Sequence, residues 1–198
     1  MHETLRSRIK EATRHVHDSI DSHAVSATIL SPAVTVADYA RFLGLTYGFL
    51  QPLERSLVES GLEGFVPRSP AILDDLRAIG VTEESLAAIP LARGVEPVGS
   101  EGEAMGLAYV IEGSRMGGLV IAKHIGRHLG LTGEKGLSFF LPSHPHEIVA
   151  RFHQFVAKLD SFAKCSCEER EAMDGAQGAF RLVKFWLDNA PRWEPDFA

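Results

Sequence analysis

Apolar side chains recur along most of this chain at intervals of three and four, the spacing that lines one face of an α-helix. Leu5, Ile9, Ala12, Val16 and Ile20 set a first helix from near residue 3 to about residue 24. Thr35 and Asp38 form a capping-box pair ahead of the stripe Tyr39, Phe42, Leu43, Tyr47, Leu50, Leu53 and Leu57, which Gly61 closes. Ser69-Pro70, a cap followed by proline, opens a short helix that Gly80 can stop, and Thr82 starts another before Pro90. Residues 91–99 carry the loop signals Gly, Pro and Gly. Ser100 and Glu103 make a second capping box, and the apolar pattern behind it runs to Leu129, where Gly130 is placed to end it.

The turn-rich stretch 130–145 contains Leu137-Ser138-Phe139-Phe140-Leu141, too short to support a sheet. Helical spacing returns at Ile148, Phe152, Phe155, Val156 and Leu159. Ser166 and Glu169 open a last helix with Met173, Phe180, Val183, Phe185 and Trp186, which stops before Pro191. Phe180, Phe185 and Trp186 are assigned to the core. Nothing alternates with period two, so the expected fold is all-α, a compact helical bundle forming a single domain over residues 1–198.

Composition narrows the function. With 198 residues, 45% of them hydrophobic, the chain can bury a core without a disulfide or metal staple. A net charge of -6 argues against a non-specific binder of nucleic acid or an anionic membrane. No apolar run approaches the roughly 20 residues of a membrane helix, and the first residues are charged rather than signal-like, so a cytoplasmic protein is expected. Cys165 and Cys167 stand too close for an expected disulfide and too isolated for zinc; they are read as a helix start. His124 and His128, and His144 and His146 flanking Pro145, are read as surface residues, and Tyr109 as a packing residue.

Two features carry candidate chemistry. Lys10, Thr13 and His17 share a face of the first helix, with Lys10 about 10.5 Å along the axis from His17. A neutral imidazole at the rim of an apolar stripe can ligate haem iron, and a cation two turns away can meet a carboxylate at the edge of the same flat group. From spacing alone a solvated histidine and lysine are the commoner explanation. The second feature is Glu112-Gly113-Ser114-Arg115-Met116-Gly117-Gly118, deep inside a helical pattern. Three interior glycines cost on the order of 3 kcal/mol against alanine. Gly113 and Gly117, four apart, bare one face and ease a bend. A tight helix crossing and a flat ligand lying on the backbone explain them equally well.

Together the features resemble a known family. Lys10 to His17 looks like the proximal-helix motif of haem oxygenases, and Glu112 to Gly118 like their distal-helix motif in the EGS-x-x-GG form of bacterial members, including those accompanying bacteriophytochromes. The resemblance extends from about residue 4 to 187. It implies haem as both cofactor and substrate, sandwiched between a proximal helix and a kinked, glycine-rich distal helix. Oxygen and an external reductant would open the ring to biliverdin, releasing carbon monoxide and iron.

Carried over residue by residue, His17 becomes the iron ligand. Gly113, Gly117 and Gly118 become the distal contacts, and Lys10 a propionate partner with Thr13 beside it. Phe180 falls near the pocket wall. Many members carry an aspartate where this chain has Ser114, whose hydroxyl can hold a water but lacks the charge. Among Arg151, His153 and Lys158, the resemblance implies one further propionate partner, most readily the forked guanidinium of Arg151. The implied partners are a ferredoxin or flavoprotein reductase and a bacteriophytochrome that accepts biliverdin.

Other functions are weighed against this one. A haem-binding, storage or sensing protein on the same scaffold would bind haem without product. A thiaminase-like hydrolase would need a reactive cysteine with acid partners. A di-iron bundle would need Glu-x-x-His pairs, and the chain has none.

Overall fold

The computed structural model describes residues 4–142 and 146–198. Among them are eight helices: α1 (Leu5–Asp21), α2 (Ala24–Ile29), α3 (Val36–Glu59), α4 (Ser69–Ala78), α5 (Glu83–Ala87), α6 (Glu101–Leu129), α7 (Glu147–Phe162) and α8 (Ser166–Asn189). No strand forms among the described residues, only isolated bridges such as that between Val81 and Phe197. The expectation for His144 lies outside them.

Local chemistry sets most boundaries. Thr35 and Asp38 complete the capping box of α3, side chain to backbone in both directions. At α6, Ser100 accepts the Glu103 N–H, but the Glu103 carboxylate takes the N–H of Gly99 instead of the cap residue's own. Gly130 ends α6 in the left-handed conformation at φ 68°. The first helix stops at Asp21 rather than residue 24, because Ser22 and His23 break off and His23 caps α2 through Nδ1.

Pro52 sits inside α3, where it cannot donate to the carbonyl of Gly48. That carbonyl is not orphaned: the N–H of Ala92, in the 91–99 loop, donates to it at 2.8 Å. The tolerated proline thereby pins the loop to α3. Gly48 is also where Trp186 of α8 lies against α3, its indole N–H donating to Leu45 O at 2.9 Å.

Further sequence expectations are corrected, beginning with Ser69, which is the first residue inside α4 while Arg68 holds the cap position with no side-chain cap bond. Cys165 and Cys167 form a disulfide, and α8 begins one residue earlier than expected, with Cys165 as cap and its Sγ accepting the Glu168 N–H. The close spacing is bridged because Cys165 is extended, not helical, which aims its side chain back over the first turn. Phe185 is 67% exposed, while Trp186 is buried and Phe180 half-buried, so the core stripe of α8 runs through Ala172, Ala176, Ala179, Val183 and Trp186. In α1 the buried positions are Leu5, Ile9 and Thr13, and Ala12 is turned outward.

The helix that positions the site is α8. One flank, through Glu169 and Met173, receives Arg8 of α1. The neighbouring flank, Ala172 and Ala176, lies against α6 at Gly106. At the lower end Leu5 and Ile9 of α1, Met105 of α6, Leu159 of α7 and the two alanines close into one apolar cluster. Above that cluster α1 and α6 both pack on α8, along these neighbouring flanks.

Candidate active site

Four glycines of α6, at 102, 106, 113 and 117, fall within about 60° of one another at about 100° per residue. The first two are consumed by packing. A Cβ on Gly102 would stand 2.6 Å from Glu171 Cβ, and one on Gly106 would overlap the backbone carbonyl of Ala172. The second pair is not. A Cβ on Gly113 would meet only Phe152, at 3.7 Å, and one on Gly117 would meet nothing within 4 Å. Helix crossing therefore explains Gly102 and Gly106 but does not require glycine at 113 or 117.

His17 projects from the C-terminal half of α1 with its side chain 55% exposed. Asp21, one turn on, brings Oδ2 to 3.1 Å from His17 Nδ1. A carboxylate on one ring nitrogen favours one orientation of the imidazole and leaves Nε2 available to a ligand. Phe180 of α8 meets the imidazole edge-on, ring centroids 5.7 Å apart. Asp21 was not singled out in the sequence, though a carboxylate four residues after a histidine on a helix is a readable signal.

The chain matches the heme oxygenase family model over residues 3–68 and 72–189. It belongs to the haem oxygenase family. A heme oxygenase of Xanthomonas campestris pv. campestris is 33% identical over 129 residues, 63% of this chain and 69% of that one. The heme oxygenase of Neisseria meningitidis, solved with NO and CO bound, shares 27% identity and a TM-score of 0.73 over 98% of each chain. A cyanobacterial heme oxygenase-1 from Synechocystis, solved with heme, has the same fold at 13% identity, with a TM-score of 0.74 over 94% of this chain and 91% of that one. The haem oxygenase resemblance, the all-α fold and an oxidoreductase acting on haem therefore stand. Among the described residues no helix is long and apolar enough to cross a membrane.

The residues fit haem on this chain's own geometry. A histidine with one nitrogen held and the other free faces outward on one helix, and a stripe of backbone that a Cβ would not crowd lies on the other. Lys10 shares the exposed side of α1 with His17. Tyr109 packs beside Phe152, ring centroids 6.2 Å apart, and burial raises its hydroxyl pKa.

Several assignments in this haem oxygenase site need revision. Thr13 is buried at 3% exposure and its hydroxyl donates to Ile9 O at 2.8 Å, so it serves α1 rather than a ligand. Gly118 points away from the glycine stripe and lies under Phe140, 2.8 Å from where its Cβ would be. Arg151 stands 3.9 Å from Glu112 and, with Lys158 seven residues on, lines a cavity of about 800 Å³ on the other side of α6. Lys158 donates to Glu63 O at 3.3 Å. His153 shares its face of α7 with Asp160, which accepts the Arg6 N–H of α1 at 2.8 Å. The helical register thus turns His153 toward α1 and Arg151 away from it.

Ser114 is exposed, and its hydroxyl donates to Ile111 O at 2.7 Å while accepting from Arg68 Nη2 at 3.4 Å. Arg68 also donates to Ile111 O and stacks 5.0 Å over the Phe139 ring. Burial, then the neighbouring Arg115 guanidinium, pushes the Arg68 pKa down to about 10. No sequence pattern links Arg68 to Ser114, because the contact joins a loop to a helix in another part of the chain. His124 Nε2 lies 2.9 Å from Ser31 O, and its ring stacks on His128.

Proposed function

We propose that this haem oxygenase converts haem to biliverdin, carbon monoxide and ferrous iron, taking O2 and electrons from an external donor. One observation carries the reading: of four glycines on one face of α6, two are filled by α8, while a Cβ would only graze Phe152 at Gly113 and would meet nothing at Gly117. Haem bound there as substrate supplies the iron that activates oxygen and the porphyrin edge that is oxidised.

The protein's own work is to hold and orient. His17 ligates iron through Nε2, with Asp21 keeping the ring in place. Gly113 and Gly117 would let haem lie close against the α6 backbone, since neither position carries a side chain. Phe180 walls the pocket beside the imidazole. Lys10 and His153 are the side chains we assign to the propionates. Ser114 holds water near Gly113, its hydroxyl kept in place by Arg68.

Residues 1–198 act as one domain, with the C-terminal tail tied back by the Thr82 N–H on Asp196 O and the Ala198 N–H on Gly80 O. The protein works in the cytoplasm. A ferredoxin or flavoprotein reductase supplies electrons, and a bacteriophytochrome is the acceptor that the bacterial motif form favours for the biliverdin.

The test is an anaerobic hemin titration followed by air and reductant with catalase present. The expected result is a saturable histidine-type Soret band that decays into a broad biliverdin absorption, with carbon monoxide trapped by a globin. A Soret band that never decays overturns turnover, and absence of saturable binding overturns the site.

A further inference from the structure

On the side of α6 away from the glycine stripe lies a cavity of about 260 Å³, walled by Arg68, Arg115 and Arg151 together with Ser138, Phe139 and Pro142. That is several times a water's share of roughly 30 Å³. The three guanidiniums come from three places in the chain: the segment before α4, the middle of α6, and α7. Like charges are brought together in a partly buried space at an electrostatic cost, so neutralisation is the first thing to look for.

Local carboxylates provide it only in part, since Glu54 and Glu112 offset some of the charge of Arg68 and Arg115 without pairing off all three guanidiniums. Glu54, almost fully buried, spends both oxygens on the backbone N–H groups of Arg68 and Ser69. Asp75 spends its oxygens on Ser138 and Phe139. Glu112 remains, and it sits 3.9 Å from both Arg115 Nη1 and Arg151 Nε, beyond hydrogen-bond reach. Its Oε2 is buried without a hydrogen-bond partner, and so are Arg68 Nε and Arg115 Nε. Arg68 and Arg115 have lowered pKa values, through burial first and the crowding of their guanidiniums as a contributing cause. A buried N–H of a charged fork left without an acceptor is costly, and an oxyanion between the arginines would satisfy several at once.

We infer that this cavity is a binding site for a small, multiply charged oxyanion, of the phosphate or dicarboxylate class, separate from the haem cleft and held by Arg68, Arg115 and Arg151. Because Arg68 also donates to Ile111 O and Ser114 Oγ, an anion that draws its fork inward changes the hydrogen bonding of α6 beside Gly113. The site is therefore connected to the distal helix through one side chain.

Isothermal titration of the full chain with inorganic phosphate and with succinate, at matched ionic strength, tests this. One saturable site per chain is expected for at least one probe; phosphate alone or succinate alone fixes the class. Arg115→Gln and Arg151→Gln should each weaken that binding tenfold or more. Glu112→Gln removes the competing carboxylate and should tighten it. Circular dichroism of each variant verifies the fold, and Arg151, on the surface of α7, is the variant least exposed to misfolding. No saturable binding of either probe, or binding unchanged in both arginine variants, overturns the inference.

Discussion

Gly106 lets the backbone of α6 come directly against the carbonyl of Ala172, whereas Gly117, on the same face three turns later, has nothing within 4 Å of its missing Cβ. The two glycines share a motif-like spacing with their partners and have opposite consequences. Gly106→Ala should destabilise the protein by about 2–4 kcal/mol, since an overlap with backbone cannot relax by a rotamer change. Gly117→Ala should leave the apoprotein as stable or up to about 1 kcal/mol more so, because alanine is the better helix former. The same substitution should impair haem binding or turnover. Urea unfolding of both apo variants, with hemin titration of the second, measures the contrast.

His17→Ala should abolish the histidine-type Soret band while leaving the fold intact, because the side chain is more than half exposed. Asp21→Asn should keep a ligated haem but weaken its affinity about 10–100-fold, the usual effect of removing a carboxylate that orients a ligating histidine. Equal spectra and affinities for wild type and Asp21→Asn would remove Asp21 from the site.

Asp75 provides a pH signature. Burial raises its carboxyl pKa, and the donors on Ser138 and Phe139 offset only part of that. A folded pKa above the unfolded value means the native state holds the proton more tightly. Its contribution to stability is therefore full below the ordinary carboxylate pKa of about 3.9 and declines as pH rises through the raised native value. Asp75→Asn should flatten this decline. At neutral pH it should also cost about 1–3 kcal/mol, since one of the backbone N–H groups loses its acceptor. Thermal unfolding across acidic to neutral pH checks both.

Glu54→Gln should destabilise by about 1–3 kcal/mol, because the amide nitrogen must face one of the two N–H groups at the start of α4. Amide hydrogen exchange should speed at Arg68 and Ser69 before the rest of α4. Uniform exchange across the helix would show that Glu54 does not anchor that end.

Most helix ends were legible in the sequence. Thr35 with Asp38, Thr82, and Gly130 after Leu129 each act within four residues of themselves, so the chain needs no distant partner to obey them. The Cys165–Cys167 bridge and the outward Phe185 were misread, because both depend on the angle at which α8 begins and on which flank its neighbours cover. The motif residues His17, Gly113 and Gly117 were legible as types in a pattern, but their pattern fitted a helix crossing as well as a ligand.

The sequence alone determined the helical periods, their caps and the two motifs that resemble a haem oxygenase, since those are properties of short stretches of chain. Only the tertiary structure decided which glycines are filled and which are bare, that Thr13 and Gly118 serve packing, and that Arg151 gathers with Arg68 and Arg115 instead of turning toward α1. Those outcomes depend on what stands opposite each residue. That is set by how α8 packs against α1 and α6, through contacts between segments far apart in the chain.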